Sequence, residues 1–258
     1  MNVRLLHFIA LLSFAWTAIA EIREQAVAYR HGDTELRGYL YYDDRQTAPR
    51  PGILVVHEWW GLNAYARKRA RMLAELGYTA FALDMYGAGQ VTRHAETAAG
   101  WMKQITSHQP LWLERAKAGL AVLRDHPRTN AGKLAAIGYC FGGSTVLKMA
   151  YANLPLKMVA SFHGSLPLPA EGEKPTSTLF IAHGAQDAFV PQQQLADFMR
   201  ALDQSGSDYI LSIHGNARHG FTNPDAQAYG LDNLKYDLQA DHRSWTLLQI
   251  MLEEKLGL

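Results

Sequence analysis

Apolar and polar positions along the chain change period several times, and each change predicts a different element. Residues 25–30 and 36–42 alternate as strands with one covered face do. His31-Gly32-Asp33 between them is turn chemistry, so an antiparallel hairpin is predicted to open the sheet. After a proline-containing surface connection at 47–51, residues 52–57 form a continuous apolar run, the pattern of a strand covered on both faces. Residues 63–76 have helical spacing and stop at Gly77, and 79–83 is the next buried strand. The glycine-rich stretch 86–90 reads as a loop at the carboxyl end of that strand. Two helices are predicted over about 92–107 and 111–126, separated by Pro110. Residues 133–137 then read as a strand and 144–150 as a helix. Strands at 157–162 and 177–183 are joined by the proline-rich loop 167–175. A helix at 192–204, a strand at 208–213 and a closing helix at 240–256 complete the pattern. Strands alternating with helices predict an α/β domain with a doubly wound, mostly parallel sheet, preceded by the antiparallel hairpin. In such sheets the site gathers outside the strand carboxyl ends, where His57-Glu58, Asp84, Cys140, His183-Gly184 and His214 fall.

The first twenty residues break this pattern. Arg4 provides a modest positive start, 5–19 is almost wholly apolar, and Ala18-Ile19-Ala20 is a small-x-small site before Glu21. That is the form of a secretory signal peptide over 1–20, leaving 21–258 as one folded domain in the periplasm or outside the cell. The apolar run is short for a membrane span, and a retained N-terminal anchor is the alternative. With a formal net charge of +1, 19% charged residues and no basic run, nothing points to nucleic acid or to an anionic membrane surface. No paired histidine spacing implies a metal, no cofactor is expected, and a monomer is the expected state. Cys140 is the single cysteine, so no intramolecular disulfide can form. In an exported chain such a thiol is either an intermolecular partner or free and reactive.

The setting of Cys140 favours reactivity. Gly138-Tyr139-Cys140-Phe141-Gly142-Gly143 lies between a strand and a helix, the arrangement of the nucleophile elbow of α/β-hydrolases with a thiol in place of the usual hydroxyl. Read alone, Cys140 could equally be a small buried hydrophobe. A thiol needs a base to become a thiolate, and the base needs an orienting group. In the elbow arrangement the chain order is nucleophile, acid, histidine. Downstream, Asp187 sits in the loop after a strand, where a helix N-cap is its ordinary alternative. His219 follows the last strand by a loop long enough to reach back, whereas His214 and His183 read as structural residues.

Taken together, His57-Glu58-Trp59-Trp60-Gly61, Asp84-Met85-Tyr86-Gly87, the cysteine elbow, His183-Gly184-x-x-Asp187 and His219-Gly220-Phe221 resemble the dienelactone hydrolase family, in the family's order, from about residue 25 to the end. The resemblance implies a hydrolase of small esters or lactones with a Cys140–His219–Asp187 triad. It also implies that Glu58 lies beside the resting thiol and keeps it protonated until substrate arrives, and that the backbone N–H groups of Trp59 and Phe141 form an oxyanion hole. Trp60, Tyr86, Phe189 and Phe221 flank the motifs and are expected, with Trp59, to line an aromatic pocket. Thioester cleavage or acyl transfer by the same triad is the alternative, and an inactive binding protein on the scaffold a further one. The chain departs from the family at the two arginines that clamp a substrate carboxylate. The corresponding stretches read Gly87-Ala88-Gly89 and Thr222-Asn223-Pro224, with Arg93 and Arg218 the nearest replacements. Neutral substrates are therefore expected to be preferred.

Overall fold

The computed structural model describes residues 21–258, so the expected signal peptide lies outside the described residues. The long apolar strand of the sequence, β3 (Arg50–Val56), shows why the sheet carries two helical layers. Leu54 and Val56 enter one buried cluster, while Ile53 and Val55 enter another on the opposite face. The other strands are β1 (Ile22–His31), β2 (Thr34–Asp43), β4 (Thr79–Leu83), β5 (Thr129–Tyr139), β6 (Met158–Phe162), β7 (Thr178–Gly184) and β8 (Tyr209–His214). They form one sheet in the order β1-β2-β4-β3-β5-β6-β7-β8. The β1–β2 hairpin joins antiparallel through β2 to β4, and the remaining pairs are parallel. The predicted fold class is thus the observed one.

Helices α1 (Ala64–Glu75) and α6 (Leu238–Leu256) cover one face; α3 (Gln109–Arg124), α4 (Phe141–Tyr151) and α5 (Gln192–Ser205) cover the other, with α2 (Ala95–Thr106) against α3. Helix ends follow capping chemistry. Asn63 accepts from the Ala66 N–H at the start of α1, and Asp237 accepts from the Ala240 N–H at the start of α6. Differences from the sequence reading are local. Thr92 and His94 form a side-chain turn before α2, which delays its start to Ala95. Pro110 lies inside the first turn of α3 instead of ahead of it, because a first-turn N–H has no intrahelical partner to lose. A 3-10 turn at Ala226–Tyr229 had no periodic signal. Among the described residues no helix is long and apolar enough to cross a membrane.

From β3 the chain steps outward to β4, then returns past β3 to β5 and moves the other way through β8. The strand order therefore reverses between β3 and β5. A crevice opens there at the carboxyl ends, with 57–59 on one side and 140–141 on the other.

Candidate active site

At the end of β5 the chain turns straight into α4, and Cys140 occupies the turn with φ 54 and ψ −116. A Cβ on Gly138 would lie 2.1 Å from the Gly142 carbonyl oxygen, and one on Gly142 2.2 Å from the Val56 carbonyl oxygen. Only glycine lets the elbow close this tightly against β3. The Cys140 N–H donates to the Phe162 carbonyl at 3.0 Å and also faces His163 Nδ1 at 3.2 Å, which holds the strained residue in place. Phe141 opens α4, so its N–H is one of the helix donors without an intrahelical acceptor.

His219 Nδ1 lies 2.8 Å from Asp187 Oδ2, and both side chains are buried. The other Asp187 oxygen accepts from the Phe189 N–H at 2.9 Å, which fixes the carboxylate. Burial alone would lower the His219 pKa. Once the Cys140 sulfur is ionised, its charge and the hydrogen bonds to Asp187 and Cys140 outweigh burial and bring the pKa up to about 10.

Glu58 is buried at the end of β3, and its Oε2 accepts from Asn223 Nδ2 at 2.7 Å. Burial pushes its pKa up to about 7, against the opposing pull of the Asn223 amide, His219 and Arg69. Among the described residues it makes no hydrogen bond to Cys140. Asn223 lies within Thr222-Asn223-Pro224, the stretch where the family resemblance implies one of the clamp arginines. His57 Nε2 accepts from the Met85 N–H at 3.2 Å, so Nδ1 carries the proton and donates to the Glu58 carbonyl. Carbonyl and N–H point in opposite directions across one peptide plane, so this bond also turns the Trp59 N–H away from His57. Among the described residues neither the Trp59 nor the Phe141 N–H donates to a protein acceptor.

His163 carries no motif that the sequence reading used, and Thr222 and Asn223 entered it only as part of a stretch without a clamp arginine. His163 receives the Cys140 N–H on Nδ1, and its Nε2 donates to Thr222 Oγ1 at 2.8 Å. Thr222 shares a 2.6 Å hydrogen bond with the Tyr65 hydroxyl, and its carbonyl accepts from Arg69, which is ion-paired with Asp241. Burial, followed by the charges of His219 and Arg69, drives the His163 pKa well below the ordinary histidine range and keeps the ring neutral. Its one sequence signal is placement: His163-Gly164 follows directly on a buried strand, much as His183-Gly184 ends one.

Cys140, Phe141, His219 and Trp59 open on a common cavity of about 490 Å³, walled also by Met102, Trp112, Pro167, Phe189 and Leu234. Phe189 lies at its mouth, edge-on to the His219 ring at 4.9 Å. Trp60, Tyr86 and Phe221 do not line this cavity, contrary to expectation. Trp60 stacks on Tyr229, Tyr86 packs behind Phe141 against His57, and Phe221 packs behind His163. All three are buried because a motif flanking a strand end has an inner as well as an outer side. Arg93 reaches the Ala228 carbonyl and Arg218 the Asp232 carbonyl, so neither enters the cavity. Among the described residues no group of three or more histidine, cysteine or acidic side chains is arranged to hold a metal.

A thiol at a strained turn, an imidazole held by a carboxylate and two free N–H donors around one cavity are the parts that acyl transfer uses. Comparison with known proteins places the chain among hydrolases. Residues 36–256 match the dienelactone hydrolase family. A protein of Aquifex aeolicus, named by inference a carboxymethylenebutenolidase, is 26% identical over 77% of this chain and 87% of its own. A Bradyrhizobium protein, named by inference a 2-oxo-3-(5-oxofuran-2-ylidene)propanoate lactonase, is 25% identical over 71% of this chain and 78% of its own. Among solved structures, the dienelactone hydrolase-like promiscuous phosphotriesterase P91 from metagenomic libraries superposes with a TM-score of 0.88. It is 34% identical over 92% of this chain and 99% of its own. The chain belongs to the dienelactone hydrolase family and is an α/β-hydrolase of esters or lactones.

Proposed function

We propose that hydrolysis runs through an acyl-cysteine intermediate. The observation that carries this reading is the buried His219–Asp187 hydrogen bond of 2.8 Å, beside the thiol of the elbow. Because Asp187 holds Nδ1, Nε2 is the nitrogen left to serve Cys140. Nε2 takes the Sγ proton as sulfur attacks the carbonyl carbon, and Asp187 stabilises the imidazolium that results. The oxyanion of the tetrahedral intermediate receives the Trp59 and Phe141 N–H groups. The C–O bond to the leaving group then breaks, with the proton passing from His219 to the alkoxide. Water next attacks the thioester while His219 accepts its proton, and collapse expels the acid and restores the thiol. The Glu58 carboxylate, held by Asn223, opposes a second anion at Cys140 in the free enzyme.

Cys140→Ala is expected to lower kcat by roughly four orders of magnitude or more on a 4-nitrophenyl ester, with the fold retained. A thiol-directed inhibitor should label Cys140 and no other position by mass spectrometry. Undiminished turnover in the variant would remove the reading. Product analysis in the presence of an alcohol or thiol acceptor separates hydrolysis from acyl transfer. Export is part of the same proposal. It is supported by the 1–20 presequence, and N-terminal sequencing of protein from its host should find Glu21 first. A second substrate class is favoured by the similarity to P91: a thiolate facing two N–H donors is also arranged to attack a phosphotriester. Cys140-dependent turnover of paraoxon is its test.

A further inference from the structure

The cavity extends well beyond the reacting atoms. Cys140, Ser144 and Lys148 succeed one another along one side of α4, and all three line it. Helix rise sets Lys148 about 12 Å along the axis from Cys140. Between them the walls include Phe141, Trp112, Met102 and Pro167, and among the described residues no carboxylate lines the cavity. The Ser144 and Ser165 hydroxyls satisfy each other at 2.7 Å. Lys148 is half-buried, and its ammonium has the Tyr151 ring for company at 5.9 Å. Among the described residues the lysines with a carboxylate at ion-pair distance are Lys117 and Lys255, not Lys148.

We infer that the cavity takes an ester or lactone whose apolar acyl part ends in an anionic group, with Lys148 as its counter-ion. The inference rests on the hydrolase reading above and refines its substrate class. It also relocates the charge. A carboxylate next to the reacting carbonyl would meet apolar walls and no arginine, and desolvating it there is costly. The same carboxylate at the end of a chain spanning the groove meets a cation without a protein partner. The ordinary role of a lysine in the last turn of a helix is to complement the helix dipole. That role predicts no dependence on substrate charge, so the two readings separate experimentally.

The probes are mono-4-nitrophenyl esters of straight-chain dicarboxylic acids from succinic to sebacic, each paired with its terminal methyl ester. The ratio of kcat/KM, free acid over methyl ester, is expected to rise about fivefold from the short to the long end of the series. Lys148→Met should cancel that rise and Lys148→Arg preserve it. Lys157→Met, just before β6 at the opposite end of the sheet, is the control for overall charge. A ratio that stays flat with chain length, or a rise that survives Lys148→Met, overturns the inference while leaving the hydrolase reading intact. Absence of Cys140-dependent turnover on the neutral esters overturns the hydrolase reading instead. Calorimetric binding of the sebacic monoester to Cys140→Ala then still decides: affinity about fivefold weaker with Lys148→Met added supports the inference, and equal affinity refutes it.

Discussion

Cys140 stands between two unlike walls. On one side five buried residues form two hydrogen-bonded groups: His57, Glu58 and Asn223 in one, and His163 and Thr222 in another that runs through Tyr65 to the Arg69–Asp241 pair. On the other side the groove under α2 and α3 is formed chiefly by Met102, Trp112, Phe141 and Pro167, and among the described residues the one hydrogen bond these side chains make is from the Trp112 indole to Thr145 Oγ1 at 2.8 Å. A buried polar atom without a partner costs on the order of 1–3 kcal/mol, so each member of the polar wall fixes the position of the next. Apolar contacts impose no such constraint, and the groove can change shape without disturbing the reacting atoms. On the proposed mechanism the division assigns chemistry to the first wall and selectivity to the second. Tyr86 and His183 each keep one buried polar atom without a hydrogen-bond partner.

The sharpest way to separate the walls is to ask what the polar one costs in stability. The folded pKa of Glu58 is up at about 7, above its ordinary 4.5, so the native state holds this proton more tightly than the unfolded chain. Its contribution to stability is therefore complete below about pH 4.5 and is lost as the pH rises through 7. Glu58→Gln keeps an acceptor for Asn223 and removes the charge. Chemical denaturation should find the variant more stable than wild type by about 3 kcal/mol at pH 8, with little difference at pH 4. A gain of equal size at both pH values would mean that the charge is not its source.

Next in size is His163→Phe. It deprives the Cys140 N–H and the Thr222 hydroxyl of one partner each, and should lower kcat about a hundredfold by misplacing the thiol. KM for a short ester should change little, because His163 does not line the cavity. A parallel rise in KM would assign His163 to substrate binding instead of positioning. The smallest effect is expected on the groove side. Met102→Trp narrows the channel and should raise KM for a decanoyl ester relative to an acetyl ester by a factor of about three, with kcat for the two moving together. A fall in kcat for both would show that the groove wall is coupled to the polar one after all.

Much of this arrangement was legible before any coordinates. The run at β3 read as a strand buried on both faces because it is one, and helix starts and stops came within a few residues of Asn63, Gly77 and Pro191. The glycines around Cys140 announced a turn that only they can make. Which side of a strand-end motif faces the cavity was not legible. Trp59 and Trp60 are neighbours with the same side chain, yet Trp59 lines the cavity and Trp60 stacks on Tyr229.

What the sequence determined by itself was therefore local: the period of each element, the strained elbow, and the order in which a thiol, an acid and an imidazole leave the ends of β5, β7 and β8. These depend on residues close along the chain, where steric limits and hydrophobic periodicity act directly. Tertiary structure alone decided the partners. Asn223 meets Glu58 from 165 positions away, and Thr222 meets His163 from 59. Lys148 becomes a groove residue only because α2, α3 and the loop after β6 close over that side of α4. Hydrogen bonds and cavities form between segments whose separation along the chain leaves no periodic trace, so packing the helices on the sheet settled them.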